Sequence, residues 1–171
     1  MILKLKSSYF FIFFIITNLL ANYLFIELEN EIIQKTIEDY SIPPRIYSII
    51  ILIVVLVQIA FTLVSTIVLA YISSLLGFYK FDINIKVSFL FKIFVVVQSI
   101  QSIEAIIATF VGKAYYQNNS VLFTILFLSL QLITLFILTK SVVKHTKFIY
   151  SLVCLVGFFF LLGKCLSFFF D

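Results

Sequence analysis

Five long apolar stretches, separated by short polar interruptions, run the length of the chain: 7–26, 46–76, 87–110, 121–138 and 148–170. Crossing a bilayer as a helix takes roughly 20 apolar residues, so this pattern predicts an all-α polytopic transmembrane helical bundle of about five spans. The pattern becomes amphipathic only in the connection 27–45. There Ile32, Ile33, Thr36, Ile37 and Tyr40 fall on one helical face, with Glu31, Lys35 and Glu38 opposite. Glu31 and Lys35 also stand at the favourable i,i+4 spacing. The predicted short helix stops at Ser41-Ile42-Pro43-Pro44, because neither proline can donate to a helix. It either lies on the bilayer surface or offers a face to a partner. The second and third stretches, joined by the charged turn Tyr79 to Lys86, form the hairpin around which the chain is organised. The second stretch is predicted to end at Leu76, before Gly77.

Composition fixes the class. Of 171 residues, 63% are hydrophobic, 18% aromatic and only 12% charged, more apolar surface than a soluble domain of this length can hide from water. The whole chain, 1–171, reads as a single integral membrane domain, with the bilayer as its first partner and no nucleic acid expected. The basic start Met1 to Lys6 resembles the opening of a signal peptide, but Leu20-Ala21-Asn22 matches a cleavage site poorly, so a retained first span is expected. Cys154 and Cys165 lie in one apolar stretch outside any CxxC or metal-spaced set, and read as small hydrophobes.

Candidate chemistry lies in the polar residues inside the spans. Gln58, Thr62 and Ser65 recur at i, i+4 and i+7 on the second helix, with Thr66 beside them. Such a stripe serves interhelical hydrogen bonds or lines a solute path. On the third helix Gln98, Gln101 and Ser102 share a face, and Glu104 stands at its edge. A carboxylate within a span costs roughly 2.5 to 3.5 kcal/mol on insertion scales, so Glu104 belongs either to a packing network or to an ion or proton site. Gln131 and Thr134 on the fourth span are placed to answer these stripes. Lys92 and Lys164 are close enough to span ends for their stems to carry the charge to the headgroups. The segment 111–120 reads as a short polar loop, and His145, the only histidine, as part of a basic loop.

Orientation follows from the loops, since Lys and Arg accumulate on the cytoplasmic side. Five spans put Lys4, Lys6, Lys80, Lys86, Lys140, Lys144 and Lys147 on one side, against Lys35, Arg45 and Lys113 on the other. The amino terminus is expected in the cytoplasm. Lys80, Lys86, Lys140, Lys144 and Lys147 are then candidate cytoplasmic contacts.

The order of elements, and above all the run Ile67 to Phe81 with re-entry near Phe89 to Phe94, resembles the Yip (Ypt/Rab-interacting) family of small membrane proteins. Bacterial-type members of that family are the nearer analogy, because only Met1 to Ser8 precede the first span. The resemblance implies a non-enzymatic scaffold or accessory subunit, of the kind that assists an export complex or toxic-peptide resistance, and supplies no catalytic residues or cofactor. The alternative is a small oligomeric transporter or channel subunit with an intramembrane polar site around Glu104. An enzyme is not expected: HExxH, paired Glu-Glu and GxSxG motifs are all missing, as is a second histidine. No metal site is expected either. Partners are other membrane proteins or further copies of the chain. The expected location is the bacterial cytoplasmic membrane, with the ER or Golgi membrane as the alternative.

Overall fold

The computed structural model describes residues 7–28 and 43–170, and the side chains of all of these apart from 7, 25–28, 44, 113, 114, 117 and 162–170. The expected amphipathic face Ile32 to Tyr40, the early lysines Lys4 and Lys6, and the side chains of Lys164 and Cys165 lie outside the described residues. Among the described residues the elements are all helices: α1 (Ser7–Leu28), α2 (Pro44–Phe81), α3 (Val87–Val111), α4 (Lys113–Asn118), α5 (Ser120–Lys140) and α6 (Thr146–Phe170). Three of them are long and apolar enough to cross a membrane, over Arg45–Phe81, Val87–Val111 and Ser120–Lys140, with mean hydropathies of 2.8, 1.8 and 2.6. Large apolar side chains such as Leu52, Phe61, Leu122 and Phe158 stand exposed on the outside of the bundle. In water they would be a liability; in a bilayer they are the solvated surface. The chain is a helical membrane protein.

The ends of α2 both depart from the sequence reading. The helix begins at Pro44, in the first turn where a missing N–H costs nothing, and the Pro43 carbonyl accepts the N–H groups of Ile46 (2.9 Å) and Tyr47 (3.2 Å). Gly77 does not end it. The helix continues to Phe81 and stops at Asp82, whose φ of 53° is left-handed, a conformation that aspartate accepts better than most residues. Gly77 serves packing instead: a Cβ there would meet the Ile83 carbonyl at 3.2 Å and the Phe148 ring at 3.3 Å. Lys80 therefore belongs to the last turn of α2, and the true connection to α3 is only 82–86. Ser74 ties that connection down by donating to the Ile85 carbonyl at 2.7 Å.

The centre of the bundle is α3 alone, rather than the hairpin as a pair. It packs against α1, α2 and α5, while α6 packs chiefly on α5. The largest core cluster gathers Ala70 from α2, Leu90, Ile93, Phe94 and Val97 from α3, Leu135 from α5, and Phe148, Leu152 and Val156 from α6. A smaller one joins Phe10 and Phe14 of α1 to Val95 of α3. α1 and α3 start at the same end, where the Lys92 ammonium lies 5.7 Å from the centre of the Phe10 ring. The segment read as a polar loop contains α4, entered through Gly112 at φ 92°, which glycine adopts without strain.

Candidate functional site: an amide-lined cleft beside the central helix

Where α1, α2 and α3 meet, a cleft of about 250 Å3 is lined by Asn18, Ala21 and Asn22 of α1, Gln58 and Thr62 of α2, and Gln98, Gln101, Ser102 and Ala105 of α3. Five of the predicted network residues, Gln58, Thr62, Gln98, Gln101 and Ser102, are thus brought together. Asn18 and Asn22 were not anticipated, although their i,i+4 spacing inside an apolar stretch was a legible signal. Each turns its amide N–H onto its own helix, Asn18 to the Phe14 carbonyl and Asn22 to the Asn18 carbonyl, both at 2.8 Å. Within α3 the Gln98 amide donates to Gln101 Oε1 at 2.7 Å. Gln58 is exposed, and its side-chain amide has no hydrogen-bond partner among the described residues.

Thr62 and Gln98 also line a second, mostly apolar groove of about 460 Å3 on the other flank of α2, with Ser65, Thr66, Val156 and Phe160. The seam between α2 and α3 is therefore open on both sides at one level. The hydroxyls of the α2 stripe do not bridge helices there. Thr62 donates to the Gln58 carbonyl (2.8 Å), Ser65 to Phe61 (2.8 Å) and Thr66 to Thr62 (2.7 Å), all within α2. Back-bonding of this kind satisfies a hydroxyl in an apolar medium without any neighbour.

Two members of the predicted network lie elsewhere. Glu104 is 6% exposed and does not line the cleft; its Oε1 accepts a 2.8 Å hydrogen bond from the Tyr116 hydroxyl on α4. Burial, then the hydrogen bond and charge of Glu104, push the Tyr116 hydroxyl above the usual phenol range, which keeps it protonated as the donor. Tyr116 is in turn packed on Phe123 of α5, with ring centres 5.1 Å apart. Gln131 is buried in the α5 stripe Phe127, Gln131, Leu135 and Thr139, which faces the core and not the cleft.

The candidate cytoplasmic contacts also divide. Lys86 and Lys144 line a common groove of about 380 Å3 between the 82–86 and 141–145 connections. Lys80 and Lys140 instead place their ammonium groups over Phe81 and Phe136, at 5.9 and 5.5 Å. Lys147 is exposed in the first turn of α6. His145 has a local task that the sequence did not announce. Its Nδ1 accepts the Phe148 N–H at 3.3 Å, capping α6, and its ring meets Phe81 edge-on at 5.3 Å.

The cleft offers amides and hydroxyls, all uncharged, and no titratable group. Such a lining can hold a hydrogen-bonding guest but has no side chain that takes up or releases a proton near neutral pH. Among the described residues no group of three or more His, Cys, Asp or Glu side chains is placed to hold a metal ion. No family model, no curated protein and no solved structure matches the chain.

Proposed function

We propose that the chain is a non-enzymatic scaffold or accessory subunit of a membrane complex, and that the face formed by α1, α2 and α3 receives a transmembrane helix of a partner protein. The observation that carries this reading is the exposed Gln58 amide, unpartnered among the described residues, at the mouth of a cleft of further amides. An amide facing hydrocarbon lacks the hydrogen bonds it has in water, and a polar side chain on a neighbouring helix supplies them, at about 0.6 to 2 kcal/mol per bond. Five crossings, with the basic end in the cytoplasm of a bacterial cell, fit the helix lengths and the lysine distribution. The resemblance to the Yip family supports the same role through the order of its elements.

The test is affinity purification of tagged protein in mild detergent, with mass spectrometry of what accompanies it. A membrane protein recovered in fixed proportion, and lost from Gln58→Leu and Gln98→Leu variants, is the expected result. Recovery of the chain alone as a monomer overturns the reading. Recovery as a defined homo-oligomer replaces it with the transporter or channel reading, with the amide cleft rather than Glu104 as its path.

A further inference from the structure

We infer that the groove between the two basic connections is a binding site for one anionic phospholipid. The groove belongs to the end of the bundle where α2 and α5 finish and α3 and α6 begin, which is the level of the headgroups for helices that cross a membrane. Its lining is amphipathic. Ile83, Ile85 and Phe89 supply an apolar floor, and Lys86, Lys144 and His145 supply a basic rim. Ile85 is buried and the lysines are exposed, so the apolar part is recessed and the charge is outermost.

A phospholipid has the complementary order, with glycerol and upper acyl carbons below a phosphate. The two lysines give the phosphate two ammonium groups from different connections, and neither has an ion-pair partner among the described residues. Asp82, the acidic residue of the first connection, does not line the groove. His145 adds a directed donor: with Nδ1 accepting the Phe148 N–H, the ring proton of the neutral imidazole is held on Nε2.

The general bias of lysines toward one side of a membrane accounts for charge at this end, but any position on the two connections satisfies that bias. It does not account for a recessed apolar floor between two lysines. Lys80, Lys140 and Lys147 stand at the same end and do not line the groove. They are therefore internal controls.

The experiment is native mass spectrometry of the full chain released from detergent micelles containing phosphatidylglycerol or phosphatidylcholine, with thermal stability followed in parallel. One phosphatidylglycerol should be retained, and should raise the melting temperature where phosphatidylcholine does not. Two ammonium groups attract an anionic headgroup from different sides, so Lys86→Gln with Lys144→Gln should weaken retention by about tenfold or more. Lys140→Gln with Lys147→Gln should leave it nearly unchanged. Val142→Trp, which fills the groove without altering charge, should also abolish retention. Equal losses in the two lysine pairs, equal retention of phosphatidylcholine, or full protection by inorganic phosphate alone would each overturn the inference. Because both groove lysines are exposed, unchanged gel filtration and circular dichroism of the variants are expected. A pair that fails this check is replaced by Val142→Trp, whose retention of lipid would equally overturn the site.

Discussion

The two arms of the central hairpin have the same kind of sequence and opposite fates. α2 is the longer and more apolar, with a mean hydropathy of 2.8, yet most of its side chains are exposed; α3, at 1.8, is the most enclosed helix among the described residues. In water the ranking would be reversed, because apolar area would drive burial. In a bilayer lipid tails are as apolar as leucine, and what recommends a helix for the centre is close packing and polar groups that need partners. α3 brings both: Ser99, Ser102 and Glu104 are among its buried residues, and Ser99 donates to the Val95 carbonyl at 2.8 Å.

The contrast can be broken most severely by equal truncations on the two arms. Leu90 is fully buried and Leu52 is 58% exposed. Leu90→Ala should cost about 2 to 4 kcal/mol, from lost packing and the cavity left behind, whereas Leu52→Ala should stay within about 0.5 kcal/mol. Reversible unfolding in mixed detergent micelles measures both; similar losses would show that α2 is held as firmly as α3. Next in size, Gly77→Leu should cost about 1 to 3 kcal/mol by overpacking, since it forces apart α2, the 82–86 connection and Phe148. Thermal melting of the purified protein reads this directly.

Smaller effects sharpen the comparison at the polar positions. Tyr116→Phe leaves the Glu104 carboxyl without its donor and should cost about 1 to 2 kcal/mol, while Glu104→Gln, which still offers an acceptor oxygen, should cost clearly less in the same melt. The opposite ranking would mean that the charge, not the hydrogen bond, is what holds α4. Least of all, Thr62→Val should change stability by no more than about 0.5 kcal/mol, because its hydroxyl is spent within α2. A larger loss in that melt would restore the stripe as an interhelical contact.

What the sequence made legible follows the same physics. Element type and the five long helices were plain, because apolar runs of this length have no other stable form in lipid, and the bounds of α3 were read to within a residue. The far end of α2 was not, because the role of Gly77 depends on Phe148, seventy-one positions along the chain. The polar cleft was half legible. Gln58, Thr62, Gln98 and Gln101 announced themselves by periodicity, but periodicity on one helix cannot say which neighbour it faces. Glu104 stands only two residues past Ser102, yet that rotation is enough to turn it from the cleft to Tyr116. The tyrosine itself was hidden in what read as a loop, too short a segment for a periodic pattern to mark α4.

The bond between Tyr116 and Glu104 also bears on how the protein is made. A chain synthesised from its amino end presents the carboxyl of Glu104 to the bilayer before Tyr116, twelve residues later, has emerged. Until then α3 carries an unanswered acid close to its carboxyl end, and it is completed only when α4 folds back and Phe123 of α5 closes over the tyrosine ring. This predicts that the third, fourth and fifth helices insert as a single unit. Truncated nascent chains ending before Tyr116 should leave the membrane more readily than chains extended through α5.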